Sequence, residues 1–310
     1  MKKISIMIPT YNEQDNVKPL CAEVQKIFSE KLRNYDYEIL FIDNYSMDKT
    51  REYIAQLCAE NKKVKAIFNA RNFGQVRSPF YGILQATGDC VIAICADFQD
   101  PPELIETFVR EWENGYKIVT GKKYKSRENP VMYFLRSLYY KFIKRVAETE
   151  QIEQFTGFGL YDRAFIEVLK KLDDPMPYMR GIVAELGYAR KEIEYTQNKR
   201  RSGKTKNNWY TLYDMGMLGI TSYSKMVMRT ATIMGFFIAG MSFAVAMYYL
   251  VMKLVYWQRF PLGTAPVIIS IFFLGSVQLF FIGFLGEYIL NINTRVMKRP
   301  LVVEEKRINF

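Results

Sequence analysis

The sequence contains no histidine, and its few cysteines form no recognisable pattern. Histidine is absent from all 310 residues. This excludes the commonest general base, the commonest zinc ligand, and the Ser-His and Cys-His nucleophile arrangements. Cys21, Cys58, Cys90 and Cys95 form neither a C-x-x-C pair nor a zinc-binding spacing, so we expect reduced thiols that pack as small apolar side chains. Chemistry must therefore use carboxylates, Lys, Arg, Tyr, backbone groups or a hard metal ion.

Acidic residues are too few to balance the basic ones. Lys and Arg number 43 against 32 Asp and Glu, which gives a formal net charge of +11. This surplus favours anionic partners: phosphates, an anionic membrane surface or nucleic acid. Because the last third of the chain holds long apolar segments, we expect a membrane or phosphate partner and no nucleic acid. The opening "ISIMIPTYNE" is too short for a signal-peptide core, so the first domain is expected to stay in the cytosol.

Short apolar runs alternate with segments of helical spacing in the first part of the chain. Strands are predicted at 4–8, 38–42, 64–68, 90–95 and 117–121, and helices at 16–31, 50–61, 78–87 and from about 102. This alternation predicts a parallel, doubly wound α/β sheet. Ligands of such sheets bind at the carboxyl ends of the strands. Polar residues gather at those ends, at 10–13, at Asp43 and at 97–100.

Two long uncharged segments follow, at 230–252 and 260–286. Each is long enough to cross a bilayer of about 30 Å as a helix. Basic residues flank the pair, whereas the link between them holds only Lys253 and Arg259, so the positive-inside rule places both termini in the cytoplasm. The basic, amphipathic segment near 130–148 fits a helix lying in the membrane interface, and equally a core helix with a solvated back.

Two polar motifs lie at the ends of the first two predicted strands. "PTYNE", at 9–13, offers backbone amides and a carboxylate that can read a nucleobase or ribose, or it is a plain polar turn. Asp43 is placed to accept hydrogen bonds from a base N–H or a ribose hydroxyl, or to cap a turn or helix.

Two further motifs point to phosphate chemistry. "CADFQDPPELI", at 95–105, crowds Asp97, Gln99 and Asp100 at one strand end. A hard divalent cation that bridges a diphosphate needs oxygen ligands of this kind, although acidic residues also suit a helix N-terminus. "NKRRSGKTK", at 198–206, places five basic residues around a glycine. It can hold phosphates or lipid headgroups, or it is a solvated face.

The motifs together resemble those of family 2 glycosyltransferases. The order is that of the family for "SIMIPTYNE", "EILFIDNYSMDKT", "RNFGQ…GILQATGD", "ADFQDPPELI", "YMRGIVAELGY" and "RRSGKTK". The chain is similar to the polyprenyl-phosphate branch, which includes dolichol-phosphate mannose synthase and bacterial undecaprenyl-phosphate glucosyltransferases. The implied architecture is a GT-A (Rossmann-like) catalytic domain at 1–210, a juxtamembrane helix at 211–229, a two-helix transmembrane hairpin at 230–292 and a cytoplasmic tail at 293–310.

The resemblance also implies a role for individual residues. We expect nucleotide binding by Pro9, Tyr11, Glu13, Asp43 and Thr205, catalysis by Asp97, Arg200 and Lys206, acceptor-phosphate binding by Lys123 and Arg136, and Mg²⁺ or Mn²⁺ binding by Asp97 and Gln99.

The chain departs from the family at three positions. Cys95 stands where the family's Asp-x-Asp motif begins, and it is a poor ligand for Mg²⁺. Gly157 and Gly159 stand where the bacterial glucosyltransferases carry an Asp and an Arg. A phosphomonoester acceptor has a second pKa of about 6 and needs little deprotonation to attack. Catalysis can therefore rest on positioning and charge neutralisation.

The expected reaction is inverting transfer of a sugar from a nucleotide-sugar to polyprenyl phosphate on the cytoplasmic face of the plasma membrane. The resemblance implies a UDP-linked donor such as UDP-glucose, with GDP as the alternative, and a homo-oligomer is compatible with the sequence. A processive polysaccharide synthase is one rival, but its Gln-x-x-Arg-Trp motif is not matched, since Gln197 is followed by Arg200 and Arg201. An inactive scaffold subunit is the other, motivated by Cys95 and Gly157.

Overall fold

The structure is a computed structural model that describes residues 1–125, 155–198, 200–201, 213–214, 216–218, 221, 226–256 and 264–310. Within these ranges the strands are β1 Lys3–Thr10, β2 Asp36–Asp43, β3 Val64–Asn69, β4 Cys90–Ala93, β5 Ile118–Lys125, β6 Phe155–Asp162, β7 Arg190–Thr196 and β8 Glu304–Ile308. The helices are α1 Val17–Glu30, α2 Thr50–Glu60, α3 Gly74–Gln85, α4 Leu104–Glu113, α5 Arg163–Lys171, α6 Met179–Glu185, α7 Met226–Val255 and α8 Thr264–Val296.

The central strands are buried on both faces, as their unbroken apolar sequences predict. On β1, Ile6 belongs to the apolar core under α1, α2 and α4, whereas Met7 belongs to the core under α3, α5 and α6. Because successive side chains point to opposite faces of a strand, one apolar run supplies both cores. The result is a sheet between two helical layers, which confirms the α/β class.

The sheet is mixed, and the prediction of a purely parallel sheet is wrong. The strand order is β7-β5-β6-β4-β1-β2-β3-β8. Strands β4, β1, β2 and β3 run parallel, but β6 is antiparallel to both β4 and β5, and β8 is antiparallel to β3. Strands β6, β7 and β8 were not predicted from the sequence, and two of them, β6 and β8, run against the other strands.

The last two helices carry the apolar segments. Among the described residues, one helical segment, Phe273–Val296, is long and apolar enough to cross a membrane, with 24 residues and a mean hydropathy of 1.6. The apolar stretch of α7, Thr232–Val245, is shorter, so the expected two-helix hairpin is not confirmed. The expected interfacial helix near 130–148 lies outside the described residues, as does about half of the juxtamembrane segment at 211–229.

After α8 the chain returns to the sheet as strand β8. Ile308 lies opposite Ala66 and Lys306 opposite Phe68 in the antiparallel ladder with β3. Beyond the strand, the Asn309 amide donates hydrogen bonds of 2.7 Å to the carbonyls of Cys58 and Val64. The segment expected to be a tail therefore supplies an edge strand of the sheet.

Candidate functional site

The first part of the site lies where β1 and β2 end side by side. Pro9 lies opposite Ile42 and Thr10 opposite Asp43 in the parallel register. Asp43 is fully buried. Its carboxylate accepts hydrogen bonds from the Thr10 hydroxyl at 3.3 Å and from the Ser46 amide at 3.0 Å. Burial raises the pKa of Asp43, and hydrogen bonds from Ser46 oppose that rise.

The loop after β1 is tied to the loop after β2. The Asn12 amide donates to the Ser46 hydroxyl at 2.8 Å, and the Glu13 amide donates to the Thr50 hydroxyl at 2.8 Å. Asn12 has a φ of 55°, in the left-handed region that asparagine tolerates better than most residues. These bonds hold the loop that carries Tyr11 and Glu13 beside the buried Asp43 carboxylate. The structure thus brings the predicted nucleoside-binding residues together.

The second part of the site is an ion pair between the predicted metal ligand and the predicted phosphate-binding arginine. Arg200 donates to one oxygen of Asp97 from Nη2 at 2.8 Å and from Nε at 3.1 Å. Backbone hydrogen bonds align the two segments, from Asn198 to Gln99 at 3.1 Å and from Arg201 to Asp97 at 3.3 Å. The chain after β7 is therefore held against the loop after β4.

The third part is the buried carboxylate of Asp100, to which the sequence alone assigned no separate role. Asp100 is 2% exposed and accepts a hydrogen bond from the Tyr195 hydroxyl. Burial raises the pKa of Asp100 to about 6; the nearby Asp97 adds to the rise, while Tyr195 and the charge of Lys123 oppose it. Lys123 lies opposite Tyr195 in the β5–β7 register, which places the predicted acceptor-binding lysine beside this carboxylate.

A divalent cation at this site would need oxygens from a substrate. Within the described ranges, no group of three or more His, Cys, Asp or Glu side chains is arranged to hold a metal ion. Asp97 and Gln99 lie together, with the Gln99 amide donating to an Asp97 carboxylate oxygen at 3.1 Å. Mg²⁺ commonly binds through one or two carboxylates together with substrate phosphates, and the oxygen donors present fit that pattern.

Both glycines that replace family residues lie where the backbone suits glycine. A Cβ on Gly159 would lie 2.5 Å from the Val119 carbonyl oxygen, and Gly157 has a φ of +97°. The chain therefore has no room for the family's side chain at 159 without a backbone shift. Three predicted site residues, Arg136, Thr205 and Lys206, lie outside the described residues, so their assignments stay predictions.

Comparisons with known proteins identify the family to which the chain belongs. The model of glycosyl transferase family 2 matches residues 5–170. Over nearly the full length, the chain is 33% identical to an uncharacterized glycosyltransferase of Synechocystis sp., covering 96% of this chain and 93% of the relative. It is 34% identical to the protein CsbB of Bacillus subtilis, covering 96% of this chain and 89% of the relative. It is 33% identical to the SfII prophage-derived bactoprenol glucosyl transferase of Shigella flexneri, covering 98% of each.

The chain belongs to glycosyl transferase family 2. It is a glycosyltransferase with a GT-A-like α/β fold, and the relatives confirm its resemblance to the polyprenyl-phosphate branch.

Proposed function

We propose that this enzyme transfers a sugar from a UDP-sugar to polyprenyl phosphate at a membrane surface, with inversion at the anomeric carbon. The observation that carries the proposal is the contact of Arg200 with Asp97 at the same sheet edge as Asp43. A relative that matches over nearly its whole length is named a bactoprenol glucosyl transferase, which supports a polyprenyl acceptor.

The donor lies along the carboxyl edge of the sheet in this proposal. Asp43 accepts hydrogen bonds from the nucleoside. Pro9, at the end of β1, and the loop carrying Tyr11 and Glu13 cover the nucleoside. Glucose is one candidate for the sugar. Thr205 and Lys206 are assigned to the donor phosphates by resemblance.

Asp97 and Gln99 would hold the divalent cation, Mg²⁺ or Mn²⁺. When bound, such a cation neutralises charge that develops on the leaving diphosphate. Arg200 supplies a second positive charge at the same place, because its guanidinium contacts Asp97 and planar guanidinium groups bind phosphate oxygens through paired hydrogen bonds.

The chemistry is a single displacement. An oxygen of the acceptor phosphate forms a bond to the anomeric carbon while the bond from that carbon to the nucleoside diphosphate breaks. The electron pair leaves with the diphosphate, so a glycosyl phosphate and a nucleoside diphosphate result. Lys123 and Arg136 are assigned to the acceptor phosphate, which is already largely ionised near neutral pH. The enzyme's contribution is positioning and charge neutralisation.

The connectivity of the sheet supports a membrane hairpin. Strands β7 and β8 belong to one sheet, and both α7 and α8 lie between them in the chain. The chain must therefore cross a membrane an even number of times between these strands. If the apolar part of α8 crosses, a second crossing is required, and α7 with its 30 residues supplies it. We propose that the sheet and both helix ends that face it lie in the cytoplasm.

Sugar transfer by the full-length enzyme in detergent tests the proposal. Undecaprenyl phosphate is offered with labelled UDP- and GDP-sugars, with Mn²⁺ or with EDTA, and the anomeric configuration of the product is determined. We expect one labelled lipid product, formed with inversion and lost with EDTA. Asp97→Ala and Arg200→Gln should each lower kcat about 100-fold or more, as is typical when one group that stabilises developing charge is removed.

A conservative surface change supplies the control. Arg110 pairs only with Glu106 on the exposed side of α4 among the described residues, so Arg110→Gln should keep full activity. Retention of configuration, or a covalent glycosyl-enzyme intermediate, would refute the displacement. Transfer to no lipid acceptor with any donor would refute the acceptor assignment.

A further inference from the structure

A cavity of about 470 Å³ opens between the connection that joins β3 to α3 and the turn that joins α8 to β8. Three arginines line it: Arg71 from the first connection, Arg77 from the first turn of α3, and Arg299 from the turn after α8. Phe73 and Met297 supply apolar walls. The cavity thus combines three guanidinium groups with an apolar lining, at the place where the long apolar helix meets the catalytic domain.

No carboxylate in the described part of the chain forms an ion pair with any of these three arginines. Arg71 stacks on the Phe73 ring at 4.1 Å, and the Nε of Arg77 contacts the sulfur of Met176 at 3.1 Å, which is a weak acceptor. The nearby Asp174 is already paired with Arg295 at 3.2 Å. Protein groups in the described residues therefore leave this positive charge unbalanced.

The three charges are close enough to affect one another. Burial lowers the pKa of Arg77, and the charges of Arg71 and Arg299 lower it further. Like charges around one cavity repel, and an anion with several oxygens would relieve the repulsion while accepting paired hydrogen bonds from the guanidinium groups.

The cavity is separate from the place where the donor diphosphate is expected. It lies at the end of β3, whereas Asp97 follows β4, and β2 and β1 lie between those strands. Three strand spacings correspond to roughly 14 Å. The cavity therefore lies beyond Asp43 on the far side from Arg200.

We propose that the cavity binds a phosphate group and that this phosphate belongs to the headgroup of an anionic membrane lipid. The candidate span Phe273–Val296 ends three residues before Arg299, so the cavity lies at the end of α8 that leads from the membrane to the catalytic domain. Anionic lipid phosphates lie at the membrane surface that this end of α8 leaves, and basic pockets beside helix ends suit them. The lipid would hold α8 against the catalytic domain, independently of sugar transfer.

The test uses the full-length protein in detergent micelles and follows its thermal unfolding midpoint. Dioleoyl phosphatidylglycerol, dioleoyl phosphatidylcholine, inorganic phosphate and UDP are titrated separately. We expect phosphatidylglycerol to raise the midpoint at a lower concentration than phosphatidylcholine or inorganic phosphate. UDP, which the proposed function assigns to the donor site, should leave the half-saturating concentration of phosphatidylglycerol unchanged. In the double variant Arg77→Gln/Arg299→Gln, half-saturation should need at least about tenfold more phosphatidylglycerol, since hydrogen bonds to charged groups are lost.

Lys298→Gln is the matched control, because Lys298 is exposed, adjacent to Arg299 and outside the cavity lining. It should bind phosphatidylglycerol as the wild type does. An equal loss in Lys298→Gln would show general surface attraction and overturn the proposal. Wild-type affinity in the double variant would also overturn it. Equal protection by inorganic phosphate would assign the cavity to a soluble anion, and competition by UDP would assign it to the donor. Arg299→Gln alone, in an exposed turn, replaces the double variant if that variant does not fold.

Discussion

Replacing Glu38 with glutamine should weaken the sheet at the end opposite the site. Glu38 is a buried carboxylate on β2, and its side chain is 2% exposed. It accepts hydrogen bonds from Lys3 and Lys65 at 2.8 Å each, from the Ser5 hydroxyl at 2.6 Å and from the Thr87 amide at 2.7 Å. One carboxylate therefore joins β1, β2, β3 and the connection before β4.

The magnitude follows from what glutamine keeps and loses. The amide keeps the volume and can still accept from Ser5 or Thr87, but it loses both charged partners. Breaking a buried ion pair by removing one partner typically costs about 3–5 kcal/mol. The Lys3 and Lys65 side chains are 29% and 17% exposed, so water recovers part of the loss. We therefore expect a decrease of about 2–4 kcal/mol in the free energy of unfolding.

The effect should depend on pH with a defined sign. Burial alone would raise the pKa of Glu38, but hydrogen bonds from Lys3, Lys65 and Ser5 hold it well below its usual 4.5. A lowered pKa in the folded state stabilises the protein at pH values above the unfolded pKa, and that stabilisation is lost as the pH falls. The difference between wild type and Glu38→Gln should therefore be full at pH 7 and shrink below about pH 4.5.

Denaturant unfolding in detergent, followed by tryptophan fluorescence, measures this difference. Glu30→Gln is the control, because Glu30 is exposed at the end of α1, and it should change the free energy of unfolding by less than about 0.5 kcal/mol. A loss in Glu38→Gln of less than about 1 kcal/mol at pH 7, or a loss unchanged at pH 3, would refute the reasoning.

Three further predictions concern the site and the sheet. Glu305 pairs with Arg51 at 2.6 Å, and Arg51 lies 3.6 Å from Asp43. In steady-state assays, Glu305→Gln should raise the KM for the donor about two- to fivefold and leave kcat unchanged; the effect is small because the ion pair is partly exposed. Burial raises the pKa of Asp100 from 3.8 to about 6, so the stability that its protonated form contributes is lost as the pH rises through 6. Thermal unfolding should therefore show Asp100→Asn to be more stable than wild type at pH 8, on the order of 1 kcal/mol, but not at pH 4. Equal stability at pH 8 would contradict this. Gly159→Ala places a Cβ about 2.5 Å from a backbone oxygen of β5 and should yield little folded protein on size-exclusion chromatography, whereas Gly240→Ala, in open space on α7, should yield as much as wild type.

The strands that could be predicted from the sequence are those that neighbouring elements bury on both faces. Runs such as Ile4–Ile8 are apolar because both faces of β1 are covered. Strands β7 and β8, "RKEIEYT" and "EEKRI", lie at the two edges of the sheet and are rich in charge. Charged residues are usual on edge strands. Such a strand pairs with its neighbour through backbone hydrogen bonds, which the periodicity of the side chains does not reveal. In β6, "FTGFGLYD", glycines interrupt the alternation.

The site was predictable to the extent that it follows strand ends. Asp43 and Asp97 stand directly after apolar runs, and parallel neighbours bring such ends together. The contact between Asp97 and Arg200 was not predictable from the residues alone, because it depends on β7 joining the sheet beyond β5. The raised pKa of Asp100 depends on burial and on the charge of the nearby Asp97, against the hydrogen bond from Tyr195. Only the folded chain brings these groups together.

The late position of β8 in the chain has a consequence for biosynthesis. Its partner β3 is translated early, but β8 follows both long helices, α7 and α8. Domains generally fold from the N-terminal side during synthesis, so β3 spends that interval as an open edge whose backbone groups can pair with other chains. Insertion of α7 and α8 into a membrane would place the ribosome and the unfinished sheet close together. The sheet of the catalytic domain is therefore complete only after both helices have been translated. Nascent chains that stall before β8 should be the form most prone to aggregation.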